Sequence, residues 1–538
     1  MIYKRNHLLL LLLLAVCGGL ASCTKNFKEI NTPHTGSSIV SVSQLYVAFV
    51  SNLAQGDNQT SYNSWTYPIT QQGAVYTKAD FVYGNDGSED WTSFYHNLSN
   101  YVSMMQIIAA TPDTTIYTNV KAMVRVLRAY QAIKLSNFYG DMPYSQAGGA
   151  LYYSATNDTV LTPVYDSQKS IYLSCLNDLQ WAVNNFSTST SQYSMGSGEY
   201  VLLNNIPQWI EFANSLRLRI ALTMYAKDPT DATPQIVAAL AKPLLDADNT
   251  NVGLGRANIP NMDLSARQYS FGTECRLRMG TTMWEWMSST NALDGSGIFD
   301  PRCNIFFEPN NLTQWNPFPQ NPTASTPAEG GQPYNTLRDD DWSNKDGTGS
   351  DSTPNLYANF NYYWARDVNI PELFMTAAEV HFLKAEVYAL GLAGIPVDMA
   401  TAQTEYNAGI VTSVNFWTTQ AINSAVWVVN KPTGLPSAAV LNTLLTNPKV
   451  AFSAATAAQQ IYAQEWIDMF RQPWEAWTLM KRTGATPTDP NNAAYYTATY
   501  GSYNRYQYPS SESEYNYANW YAETKNNDVT TTKIWIAK

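Results

Sequence analysis

Charge is scarce in this chain. Only 14% of its 538 residues are Asp, Glu, Lys or Arg, and the acids outnumber the bases 43 to 32, leaving a formal charge of −11. A nucleic-acid-binding protein normally carries a concentrated basic face, so that class is disfavoured. Histidine and cysteine are sparse too, at four and five residues. The spacings His-x-x-x-His, Cys-x-x-Cys and Gly-x-Ser-x-Gly are absent, and so is any glycine loop of the phosphate-cradling kind. With them go the sequence signals for zinc hydrolysis, paired-thiol chemistry, a serine nucleophile and a nucleotide site. After the first two dozen residues no apolar run approaches the roughly 20 residues that cross a bilayer.

The beginning of the chain is different. Lys4 and Arg5 precede an apolar run over 8–16, and Leu20-Ala21-Ser22 then leads to Cys23. A basic start, a short apolar segment and small residues at a cut site mark a secretory signal peptide. A cysteine directly after Leu-Ala-Ser resembles a bacterial lipobox, in which the thiol is acylated and the chain is cut just ahead of it. One acyl chain holds a protein only marginally, whereas the diacylglycerol and N-acyl group implied by the resemblance would anchor it durably. The alternative is an ordinary cleaved signal followed by a chance cysteine. Residues 1–22 thus read as a lipoprotein signal, 23–35 as a lipidated polar tether and 36–538 as one body. Loss of Lys4 and Arg5 lowers the formal charge from −11 to −13. Cys175, Cys275 and Cys303 remain, an odd number that allows at most one disulfide and is expected to be buried free thiols.

What the chain has in abundance is aromatic rings, 36 Tyr and 16 Trp among them. Such rings pair a flat apolar face with a polar edge, which suits both core packing and a wet binding surface. In order along the body, spacing predicts a helix over 43–53, a Tyr-rich loop over 55–86 that carries Trp65, Tyr67, Tyr76 and Tyr83, and a helix over 89–109 opened by Ser88. Val120, Met123, Val124, Leu127 and Tyr130 recur at helical steps up to a stop at Gly140 and Pro143. Further helices are expected over 165–183, 207–226 and 233–247, in keeping with a stacked helical array. Residues 249–369 are rich in Asn, Gly, Pro, Asp and aromatics, with one helix expected over 278–289. An irregular insertion of that length in a helical body is usually functional or disordered, and its Trp content argues against disorder. Helices are expected again over 371–390, 401–412 and 456–481, then an irregular tail with a closing strand at 533–536.

Several of these segments together resemble the SusD/RagB family of nutrient-binding outer-membrane lipoproteins. The matching pieces are Val124-Arg125-Val126-Leu127-Arg128-Ala129-Tyr130 running into Phe138-Tyr139-Gly140-Asp141-Met142-Pro143-Tyr144, and Pro163-Val164-Tyr165-Asp166 ahead of Asp178-Leu179. They continue with residues 209–219, Asp300-Pro301-Arg302, residues 376–386 and residues 461–466. Lys481-Arg482-Thr483-Gly484 and residues 505–512 complete the set. The residues after Cys23, Thr24-Lys25-Asn26-Phe27-Lys28, depart from the acidic cluster common in such lipoproteins. The resemblance implies a mostly α-helical body of tetratricopeptide-like helix pairs whose irregular face binds ligand. It further implies a non-enzyme at the cell exterior that captures oligosaccharide, or peptide, and delivers it to a SusC-like TonB-dependent transporter.

Sugar capture requires flat rings against the C–H face of a pyranose, with amides and carboxylates on its hydroxyls. Trp286, Trp315, Trp342, Tyr76 and Tyr83 lie in or beside the irregular segments and are the candidates; each has an alternative role in loop packing. Trp91 and Tyr95, four apart on a helix, are expected in the core. Asp339, Asp340 and Asp341 could offer oxygen ligands to a structural Ca²⁺. They do not follow the EF-hand order, however, and read as a solvated acidic loop; no cofactor is expected. Glu379 and Glu386 lie seven apart and could mimic the carboxylate pair of an anchored glycoside hydrolase. Their helical setting marks them as structural, as it does His381. Replacing Cys23 with Ala is expected to release the body into the soluble fraction, and retention of that variant in washed membranes would refute the anchor.

Overall fold

A computed structural model of the chain describes residues 40–53, 66–75, 88–152, 161–248, 250–255, 271, 277–310, 313–320, 322–327, 356–361, 364, 367, 369–427, 431–485, 500–501 and 503–538. Short polar side chains set the helix starts. Ser41 opens α1 (Val42–Ser51) with a closed capping box: its hydroxyl accepts from Gln44 N–H while the Gln44 side chain accepts from Ser41 N–H. The expected loop over 55–86 instead contains α2 (Thr66–Thr70) and β1 (Ala74–Val75). Tyr67 is core here, fully buried and donating to Phe470 O at 2.7 Å. In α3 (Ser88–Ala109) Glu89 and Asp90 sit in the first turn, where the helix dipole favours acids. Trp91 and Tyr95 meet on its inner face with ring centroids 4.9 Å apart.

The apolar stripe at 120–130 forms α4 (Thr118–Tyr139). It stops at Gly140, whose φ of +86° a side chain would disfavour and whose added Cβ would lie 3.0 Å from Ile534 Cγ2. The short strands β2 (Met142–Pro143) and β3 (Tyr165–Asp166) pair antiparallel, so the following helix, α5 (Gln168–Asn185), begins later than the spacing predicts. Asn205 caps α6 (Ile206–Tyr225), with Pro207 in its first turn. The helix expected over 233–247 is displaced upstream to α7 (Pro229–Leu240), because Asp228 accepts from Asp231 N–H and Pro229 opens the helix. Pro234 marks a position already inside it.

The insertion is held by a small antiparallel sheet. After β4 (Val252–Leu254) come β5 (Leu277–Arg278), α8 (Thr281–Met287), α9 (Cys303–Phe306), β6 (Phe307–Glu308) and β7 (Asn359–Phe360), and the sheet order is β1-β5-β7-β6. Its register sets Ala74 opposite Arg278, Arg278 opposite Asn359 and Phe307 opposite Phe360. The helix expected from 371 is a strand first: β8 (Glu372–Met375) pairs with β4, and Thr376 then caps α10 (Ala377–Leu390). Gly391, in the left-handed conformation, closes α10.

Beyond it, α11 (Met399–Asn423) runs well past its expected end. Helix α12 (Ala438–Thr446) was not legible, since Leu444 is its one buried residue. Pro473 divides the helix expected over 456–481 into α13 (Ala457–Asp468) and α14 (Pro473–Thr483). Two helices, α15 (Ser510–Tyr515) and α16 (Tyr517–Thr524), replace the expected irregular tail. Residues 533–536 form no strand: Ile534 and Ile536 are buried, and Ile536 N–H donates to the Gln168 side chain. The main helices pack in pairs, α4 on α5, α6 on α7 and α10 on α11. Cys175 and Cys303 are buried free thiols, and burial pushes the Cys175 thiol up to about 12. Cys275 lies outside the described residues.

Buried ion pairs join these layers. Arg219 on α6 forks onto Glu379 of α10 and reaches Glu475 of α14, while its Nη2 donates to Phe374 O. Arg482 on α14 grips Glu386 of α10 at 2.8 and 2.9 Å, and Tyr462 donates to the same carboxylate. Removing one member of such a buried pair strands the other charge, at a cost of roughly 3–5 kcal/mol. Glu386→Ala is therefore expected to lower the urea-unfolding free energy by about that amount. An effect near that of a surface substitution would show that the pair is not load-sharing.

Glu465, buried beside the same pair, has its pKa raised by burial against the pull of Arg482. Its raised folded value means that its contribution to stability is full below the ordinary carboxylate range and is lost as pH rises through the raised value. Glu465→Gln is expected to flatten this part of the stability–pH curve; an unchanged slope in melting experiments across pH would contradict it.

Candidate functional site

Three stretches of sequence enter or leave the body at the four-stranded sheet formed among the described residues. Residues 76–87 follow β1 directly, 256–276 lead into β5, and 309–358 join β6 to β7. The underside of this sheet is fixed by an aromatic cluster around Phe470. Phe306 stacks on it at 4.2 Å, and Tyr67, Phe307, Phe360 and Trp364 all have ring centroids within 5.7 Å of it. The sheet is thus a packed base from which these segments depart. Loops carried on a rigid scaffold are where binding residues concentrate.

The structure separates the candidate rings. Trp286 on α8 is half-buried and packs along the core edge. Lys449 holds the end of that helix, donating to the carbonyls of Glu285 and Ser288. Trp315 is 8% exposed. Its ring stacks on Trp284 at 6.3 Å and 15°, its backbone N–H donates to Leu293 O, and a Cβ at Gly295 would lie 2.7 Å from the ring. Trp315 therefore packs beneath the 293–298 turn and offers no open face. Tyr76, Tyr83, Trp342, Asp339, Asp340, Asp341 and Cys23 lie outside the described residues.

Sequence reading did not single out the polar groups beside these rings. Trp284 Nε1, Gln320 Nε2 and Asn359 Oδ1 are buried without a hydrogen-bond partner among the described residues. Buried polar atoms without a partner also occur in the helical body, at Asn214, Thr418 and Gln464, so these three do not by themselves mark a site. No single-residue signal in the sequence marks them: Asn359 lies on β7, Trp284 on α8 and Gln320 in neither. Elsewhere, a cleft of about 150 Å³ opens between the start of α4 and residues 187–195. Its amides are spent internally: Asn119 bonds the backbone of Ser187, and Gln192 bonds Asn119 N–H and Thr115 O.

The acids of the hydrolase alternative are engaged. Glu379 and Glu386 are both buried and bound to arginine, so they form no open carboxylate pair. His381 bonds Glu405 at 2.6 Å across α10 and α11. Among the described residues no cluster of His, Cys, Asp or Glu could hold a metal ion, and no helix is long and apolar enough to cross a membrane.

Comparison with known proteins bears on the whole chain. A family model described as SusD-like, starch-binding and associating with the outer membrane matches residues 30–509. Comparison with curated proteins finds no match. Among solved structures, a chitin-binding protein aligns at 19% identity over 93% of this chain and 100% of its own, with a TM-score of 0.67. A chitin-binding SusD homolog from Flavobacterium johnsoniae aligns at 18% identity over 91% and 98%, with a TM-score of 0.65. A SusD homolog from Parabacteroides distasonis gives 17% identity over 93% and 98%, again with a TM-score of 0.65. At these identities the structures speak for the fold, and the family model speaks for descent: the chain belongs to the SusD-like family of outer-membrane-associated proteins.

Proposed function

We propose that this protein is a glycan-capturing lipoprotein, anchored through Cys23 at the outer membrane and facing the cell exterior, that passes oligosaccharide to a SusC-like TonB-dependent transporter. The observation that carries the reading is the family-model match over residues 30–509, whose description is starch binding at the outer membrane. The chitin-binding function of two structural relatives supports it by fold. So does the meeting of three aromatic-bearing segments at one sheet. In this reading the segments at 76–87 and 309–358 carry the sugar-facing rings, Tyr76, Tyr83 and Trp342, with Trp286 at the margin, while Trp315 supports the turn above it. No bond is broken: the site holds, orients and releases.

Calorimetry of the soluble body, lacking the first 23 residues, with starch and chitin oligosaccharides tests this. Trp286→Ala with Trp342→Ala is expected to weaken binding about tenfold or more, since each ring–sugar contact is worth on the order of 1 kcal/mol. Trp315→Ala is expected to act first on stability, lowering the melting temperature as a large-to-small core change does. Binding of peptides with indifference to glycans would move the cargo to peptide. Steady release of reducing ends from polysaccharide would replace capture with hydrolysis.

A further inference from the structure

The most exposed aromatic surface among the described residues lies far along the chain from the sheet, beyond residue 509 where the family match ends. Tyr515, Tyr517 and Tyr521 are 78%, 56% and 46% exposed. Tyr517, Trp520 and Tyr521 fall at i, i+3 and i+4 of α16, which places them on one face. The Tyr517 ring lies 5.9 Å from both Trp520 and Tyr521, tilted by 35° and 32°, so the rings form a shallow, continuous platform.

The platform is held from beneath. Asn516 and Asn519 donate to Pro163 O, Asn519 also donates to Thr162 O, and Tyr165 donates to Glu512 at 2.7 Å. Asp528, just past the same segment, accepts from the Arg505 side chain and Tyr508 N–H. By contrast, the hydroxyls of Tyr515, Tyr517 and Tyr521 make no hydrogen bond among the described residues. The helix that carries the rings is fixed to the body while the rings themselves face solvent, an arrangement the core does not need.

From this we infer a second saccharide-binding platform on α15 and α16, separate from the sheet-borne site, that takes a segment of a longer glycan chain. The inference rests on the glycan reading above. The size of the surface favours a sugar over a protein: the three tyrosines expose roughly 350 Å², whereas a stable protein interface covers about 800 Å² on each partner. Its chemistry favours the same choice. Helices α15 and α16 carry no Arg or Met and no aliphatic side chain larger than alanine, and Glu514 and Glu523 belong to the same segment and offer acceptors. Rings satisfy the C–H faces of adjacent pyranoses, and phenol and carboxylate groups satisfy their hydroxyls. A second platform would convert rebinding of a long chain into an intramolecular event, raising avidity without a stronger single contact.

Tyr517→Ala with Tyr521→Ala, in the soluble body, tests the inference. Both side chains are exposed, so the melting temperature should stay within a degree or two of wild type. Affinity for long starch or chitin chains, measured by pull-down and calorimetry, is expected to fall at least tenfold, while affinity for short oligosaccharides holds. Unchanged affinity for both lengths overturns the platform and leaves the proposed function standing. Loss of both lengths together in a folded variant overturns separateness, placing the rings in the primary site. Absence of glycan binding by folded wild type overturns both readings. A wild-type dimer in sedimentation that the variant abolishes would assign the face to a second copy of the chain and overturn the saccharide inference.

Discussion

Two carboxylates on one helix organise the body. Glu379 and Glu386 stand about two turns apart on α10 and grip Arg219 of α6 and Arg482 of α14, so three helices distant in sequence share a buried ionic seam. Burial alone would lower the pKa of either guanidinium, and the carboxylates beside them hold both above their ordinary value. Buried pairs of this kind are weak sources of net stability but strong selectors of register, since any slip leaves a charge unpaired in a dry interior. The bidentate grip of Arg482 on Glu386 also fixes the rotation of α14. Phe470, just ahead of α14, is thereby set beneath the sheet, and the insertion rests on Phe470.

That dependence explains the aromatic content. Most of the described rings are structural: Trp209, Trp364, Trp417, Trp466 and Trp477 are among the largest fully buried side chains. Edge-to-face and stacked pairs add directional preference to apolar burial, which suits a base of strands only two residues long. A ladder so short cannot hold an insertion by itself; side-chain packing beneath it must. Among the described residues, the rings left in the open are then the exceptions that carry information, and they concentrate on α15 and α16.

The helical frame was legible because its signals are local. Ser88 opens its helix, Gly140 closes the apolar stripe, and the Ala-Glu setting of Glu379 and Glu386 marks them as structural. What failed was non-local. Glu372–Met375 is apolar enough to extend a helix and is a strand because Val252–Leu254 lies beside it. Tyr67 sits in a polar, Gly-rich stretch and is core because Phe470 and Phe360 close over it. Trp315 reads as a loop aromatic, and only the Gly295 turn and Trp284 make it buried. Of the candidate site, position in the insertion was legible; the separation of supporting rings from presenting ones depends on partners that no local pattern encodes.

A scaffold of this kind divides labour between charge and rings. Charge is used sparingly, and a good part of it is turned inward, where pairing makes each group specific; the surface is correspondingly richer in hydroxyls, amides and tyrosine. Such a surface is short of the arginine that protein hot spots favour, since Arg217, Arg219, Arg302 and Arg482 are all buried. It is well suited to sugars, which offer alternating apolar and hydroxylated edges and reward many weak, repeated contacts. For a ligand that must be handed onward, weak contacts are an advantage: affinity gained by multiplying modest sites is lost stepwise as each disengages, whereas one tight site would have to release everything at once.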